Sequence, residues 1–106
     1  MLNHYSNYYN DLYGKGQIAY FKSQSRNGIT HASGPNYWDF HDFPKINNYS
    51  RHAISCSCSD TRINVAGFIY DDSYIRVSTY NFAGQTVNNL ILGLVCLYTK
   101  NSIFGE

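Results

Sequence analysis

The run Leu90-Ile-Leu-Gly-Leu-Val-Cys-Leu-Tyr98 constrains this chain more than any other stretch. Strand side chains alternate between faces, so apolar residues at every position predict cover on both sides. A helix would accept these leucines, but the central Gly93 and the short length count against one. With 106 residues, the chain has little material of its own to cover a strand twice. Either two sheets stack tightly, or another copy of the chain supplies part of the cover. The expectation is a compact, oligomeric β module.

The rest of the chain reads as short strands separated by turn chemistry. Gln17–Lys22 and Gly28–Ala32 are strand candidates joined by the polar turn Ser23–Asn27. Tyr37–Phe43 alternates aromatic with polar residues and stops at Pro44, which cannot donate to a central ladder. Arg51–Ser59 places Ile54, Cys56 and Cys58 on one face, with Arg51, Ser55 and Ser57 on the other. Arg62–Tyr70 follows, Gly67 suggesting a bulge, and then the turn Asp71-Asp72-Ser73. Tyr74–Phe82 puts Ile75, Val77 and Thr79 on one face and Tyr74, Arg76, Ser78 and Tyr80 on the other. Ala83–Asn89 closes a hairpin into the apolar strand. No window carries a helical period and there is no internal repeat, which indicates an all-β antiparallel β-sandwich. Residues 16–106 are assigned to it, and residues 1–15, rich in Tyr and Asn, to a linker or stalk-joining segment.

Composition narrows the function classes. Charged residues are 14%, aromatics 17%, and the formal net charge is +1. Nucleic acids and acidic membranes call for a basic face, which this balance does not supply. Abundant Tyr and Asn suit a surface that binds sugars or proteins by stacking and neutral hydrogen bonds. High β-propensity accounts for the Tyr content equally well. Three cysteines make no complete disulfide framework, and Cys56 and Cys58 are too close in one strand to bond without strain. No secretory signal opens the chain. The longest apolar run is about half what a membrane helix needs, so a soluble chain is expected.

Several motifs, in order, resemble the C-terminal receptor-binding tip domains of tailed-bacteriophage tail fibres. The matching residues are Asn27-Gly28, Phe43-Pro44, His52–Asp60, Val65–Ile69, Tyr80–Gly84 and Leu92-Gly93-Leu94. The family's final strand normally carries an aromatic before its glycine, where Leu92 stands here. No collagen-like or β-helical stalk precedes the motifs, so the chain reads as the tip portion. The second half also resembles the H-type lectins. Arg62–Val65 and Ser78–Asn81 fall where that family places a strand arginine and a ligand-contacting aromatic-polar pair. Tyr80 and Asn81 replace its more usual Trp and His, so its sugar specificity does not carry over. Both resemblances imply a homotrimeric β-sandwich binding surface glycans; the first implies a virion setting beside other tail-fibre or stalk segments.

The first candidate for ligand contact is the expected hairpin tip Tyr80-Asn81-Phe82 with Gln85. An aromatic face stacks on a sugar's C–H surface, while amides pair with its hydroxyls. Outward Tyr74 and Arg76 would extend this patch, unless they are simply a solvated face. The segment Asn36-Tyr37-Trp38-Asp39-Phe40-His41-Asp42 is the second candidate, with Trp38 beside Asp39, Asp42 and His41; alternatively, Trp38 and Phe40 anchor the core. Asp39 and His41 also share a face, which opens the alternative of a small microbial hydrolase or ribonuclease using His31, His41, His52 and Arg51 or Arg76. No catalytic signature supports it. The spacing of Cys and His fits no zinc site, although one His per chain on a threefold axis would make a three-ligand set. The expectation is a non-catalytic module without cofactor or metal. Its partners would be a host surface glycan and sister subunits, with no nucleic acid and no membrane insertion.

Overall fold

Strict period-two patterning, rich in β-branched residues, is clearest in Tyr74–Asn81, and it places Ile75, Val77, Thr79 and Asn81 in the interior. In the computed structural model, which describes residues 18–101, this segment is the centre of a sheet. The proposed joining segment, residues 1–15, lies outside the described residues. Among the described residues there are six strands: β1 (Ala19–His31), β2 (Gly34–Phe40), β3 (Tyr49–Cys58), β4 (Ile63–Asp71), β5 (Tyr74–Asn81) and β6 (Val87–Lys100). They form two antiparallel three-stranded sheets, ordered β1-β6-β3 and β2-β5-β4. The all-β reading holds.

The two most regular strands, β6 and β5, are the central ones, and their inward faces make the core. Leu90, Leu92, Leu94, Cys96 and Tyr98 of β6 meet Ile75 and Val77 of β5, with Phe40, Phe43 and Ile63 completing the cluster. Each fully buried Leu of this kind contributes roughly 1.5–3 kcal/mol. The buried Tyr98 hydroxyl donates to Pro44 O at 2.8 Å, so its polar end is paired.

The closing strand differs from expectation. Only one of its faces is buried; on the other, Ile91 is 46% exposed, and Val95 and Leu97 are half-buried. The sheet opposite covers the inner face, and among the described residues no strand forms a second layer over the outer one.

Strand β1 runs unbroken where two strands and a turn were expected. Its register slips between Arg26 and Ile29, where Gly28 takes a φ of +67°. An edge strand tolerates the polar run Ser23–Asn27 because one side of its ladder is already open to water. From this edge Lys22 reaches Asp42 O and Arg26 reaches Asp39 O, closing the sandwich seam. Their cationic ends lie 5.7 and 4.5 Å from the ring centres of Phe43 and Phe40.

Strand β3 keeps Cys56 and Cys58 inward and Ser55 and Ser57 outward, as expected, but exchanges the faces of Ile54 and Arg51. A bulge between Ala53 and Ser55 turns Ile54 outward at 49% exposure. Arg51, expected opposite the cysteines, instead shares the inner face with Cys56 and Cys58. One extra residue shifts the parity of everything beyond it. Buried Arg51 donates to Phe43 O at 2.7 Å, Asp71 O at 2.8 Å and Tyr74 O at 3.4 Å, tying the β2–β3 connection to the β4–β5 turn.

Gly67 marks no bulge. It keeps regular register opposite Val77, and its hydrogen-only face lets β4 close on Cys56 and Leu94. The slip in β4 falls between Ile69 and Asp71 instead.

Candidate functional site

The parity that buries one side of β5 presents Tyr74, Arg76, Ser78 and Tyr80 on the outer face of β2-β5-β4. Register fixes their neighbours. Arg76 lies between Asp39 of β2 and Phe68 of β4, Ser78 between Tyr37 and Ala66, and Tyr80 between Pro35 and Asn64. Tyr70 continues the outward series Asn64, Ala66 and Phe68; it is 54% exposed, with its ring over Arg76.

Arg76 organises this surface. Its Nε and Nη2 donate to Asp39 Oδ1 and Oδ2 at 2.8 and 3.1 Å, a bidentate pair with fixed geometry. Its guanidinium carbon lies 3.8 Å from the ring centres of both Tyr37 and Tyr70 and 5.8 Å from that of Tyr74. A planar cation attracts ring faces in this way. Tyr70 and Tyr74 stack at 5.6 Å, Phe68 packs on Tyr70 at 5.9 Å, and His41 on Tyr74 at 4.9 Å. The hydrogen bonds from Arg76 hold the Asp39 carboxyl below its ordinary range, so it stays ionised. Arg76 is correspondingly pushed up, above all by its hydrogen bond with Asp39.

Beyond this cluster the face dips. Ser78 and Ala66 are small, and shallow depressions open on either side of β5. One is lined by Asn64, Ala66, Ser78 and Tyr80, the other by Pro35, Asn36, Tyr37 and Ser78. The Tyr80 ring bounds this end and leans on Phe82 at 4.3 Å. The result is an aromatic surface with a small polar saddle, open to solvent and backed by the central strand.

The expected site residues are distributed unevenly over this geometry. Tyr74, Arg76, Tyr80 and Asp39 share the outer face, with Phe82 at its end, 63% exposed. Asn81 does not join them. It is buried: its Nδ2 donates to His31 O at 3.0 Å and Gln85 O at 2.9 Å, and its Oδ1 accepts from Ala83 N. It fixes the backbone of the segment after β5. That segment is not a hairpin, because β5 and β6 belong to different sheets; the hairpin is β4–β5, with the turn Asp71-Asp72-Ser73 at its tip. Gln85 stands exposed in the connection. Trp38 faces inward and packs on His31 at 5.1 Å, as a core residue does.

The residues considered for acid–base work are dispersed. His31 is fully buried; its Nδ1 donates to Ala32 O, and its Nε2 meets Thr79 Oγ1 at 2.6 Å. His52 meets Thr99 Oγ1 on the other sheet, and His41 packs on Tyr74 while Asp39 pairs with Arg76. Among the described residues no three His, Cys, Asp or Glu side chains gather as a metal site.

Phe68 and Tyr70 enter the site without having been singled out, and Tyr37 enters it from the second candidate segment without having been given a role. For Tyr37 a signal existed, since it shares strand parity with Asp39. Phe68 and Tyr70 likewise continue the outward series of Asn64 and Ala66, so the alternation of β4 carried their signal. No protein-family model, no curated protein and no solved structure matches this chain.

Proposed function

We propose that the protein is a non-catalytic receptor-binding module that recognises a bacterial surface saccharide through the outer face of β2-β5-β4. One observation carries this reading: Tyr37, Phe68, Tyr70 and Tyr80 are between 42% and 54% exposed on a rigid sheet, around a guanidinium whose position is fixed. Exposed, preorganised aromatic rings match the apolar face of a pyranose, and Ser78 and Asn64 offer hydroxyl and amide partners beside them. The tail-fibre tip setting rests on the order of the sequence motifs. Assembly as a homotrimer is part of the same proposal. It is supported by the outer face of β1-β6-β3, where Phe21, Ile54 and Ile91 are exposed and the outward residues of the ladder include no Asp, Glu, Lys or Arg. Three weak sites on one particle bind by avidity.

The test is an array of bacterial surface polysaccharides probed with the wild type, Tyr70→Ala and Tyr80→Ala. Retention of at least one saccharide, lost in both variants and accompanied by no cleavage of the glycan, is the expected result. Release of sugar fragments that stops with His41→Ala would mark an enzyme instead. Unchanged retention by both variants would place binding elsewhere.

A further inference from the structure

We infer that the aromatic face selects an uncharged saccharide and that Asp39 enforces the choice by occupying Arg76; this rests on the reading of that face as a glycan site. An exposed arginine among tyrosines ordinarily invites a carboxylate or phosphate, because its fork matches their oxygens. Here the fork is filled from within. Both oxygens of Asp39 take bonds from Arg76, and Tyr37 and Tyr70 cover the guanidinium at 3.8 Å each.

The other arginines near the face are engaged as well: Arg62, beside Phe82 at its end, pairs with Asp60 at 2.7 Å. Asp39 and Arg76 are the charged residues among the outward positions of the three strands, which otherwise hold Pro35, Tyr37, Asn64, Ala66, Phe68, Tyr70, Tyr74, Ser78 and Tyr80. Arg51 lies beneath the face with its donors on backbone carbonyls, and Arg26 is held to Asp39 O at the seam. At the hairpin end, Asp71 and Asp72 add negative charge, the Asp71 carboxylate accepting from Ser73 N and Oγ. An acidic sugar would have to displace Asp39 from Arg76 or sit beside its carboxylate. A neutral sugar meets neither obstacle. It stacks on the rings and exchanges hydrogen bonds with Ser78 and Asn64.

The specificity is therefore a device against anions, and one substitution should reverse it. Asp39→Asn keeps the shape and an acceptor oxygen but leaves the guanidinium charge uncompensated. The probes are immobilised neutral oligosaccharides of hexoses and N-acetylhexosamines, set against oligogalacturonate and sialyllactose. For the wild type, retention on a neutral probe should exceed that on either acidic probe by about tenfold or more. In Asp39→Asn the acidic-to-neutral ratio should rise by about tenfold, and adding Arg76→Gln should abolish the rise.

Salt gives a measurement that needs no variant. Retention on the neutral probe should hold steady between about 0.05 and 0.5 M salt, whereas charge-driven binding falls over that range. Preference of the wild type for an acidic probe, salt-sensitive retention on the neutral one, or an unchanged ratio in a folded Asp39→Asn would each overturn the inference and leave the glycan reading standing. Failure to retain any saccharide would overturn the glycan reading itself, and this inference with it.

Discussion

Gly67 and Cys56 face each other across the sandwich so closely that a Cβ on Gly67 would collide with the Cys56 sulfur, with Leu94 Cδ1 only 3.3 Å away on its other side. The two strands involved, β4 and β3, belong to different sheets, so this contact sets how tightly the sheets approach at that point. Gly67→Ala should therefore destabilise the fold by about 1–3 kcal/mol through overpacking. Removing the sulfur in Gly67→Ala/Cys56→Ala should recover part of that loss. Urea denaturation of the two single variants and the double variant measures the coupling; strictly additive changes would refute the contact.

Arg51 acts on the backbone rather than on a ligand. Its guanidinium satisfies carbonyls of Phe43, Asp71 and Tyr74. Arg51→Met fills much of the same volume but leaves those acceptors without their donor. We expect a loss of about 2–4 kcal/mol, read from the midpoint of chemical unfolding. A change below about 0.5 kcal/mol, usual for an ordinary surface position, would show that water replaces the guanidinium at little cost.

Burial pushes the Tyr98 phenol up to about 12, while an unfolded tyrosine ionises near about 10. The folded state thus holds its proton longer than the unfolded one. The resulting stability is fully present below pH ~10 and is lost as pH rises from there toward about 12. Thermal midpoints measured across this window should fall with pH. Tyr98→Phe, which lacks the titrating group, should show a shallower fall, with a residue contributed by Tyr20 and Tyr74, whose ionisation is also raised. Equal slopes in both proteins would show that Tyr98 does not titrate in this way.

The outer face of β1-β6-β3 gives the proposed assembly a direct test. Ile91 and Phe21 are exposed on it at 46% and 66%. Lysine at both positions should cost a monomer little, since exposed substitutions usually stay within about 0.5 kcal/mol. In an oligomer built on this face it would set like charges against each other. Light scattering should report a particle of three chains for the wild type and a single chain for Phe21→Lys/Ile91→Lys. A wild-type monomer would dispose of the assembly.

Much of this protein is decided by local pattern. The alternation of Tyr74–Tyr80 assigned these side chains to their faces, and the turn chemistry of Asp71-Asp72-Ser73 marked the hairpin tip. The apolar run ending at Tyr98 named the strand at the centre of the core. These features depend on period-two geometry and turn preferences, which neighbouring residues carry by themselves.

Tertiary structure alone decided where pattern loses its phase. The bulge at Ile54 exchanges inside for outside, and that exchange put Arg51 on the buried face with Cys56 and Cys58. Whether consecutive strands pair or part is likewise a choice between sheets. It turned the segment after Asn81 into a crossing and its amide into an internal brace. Such outcomes depend on which distant surfaces compete for the same core, and no short window of residues contains that competition.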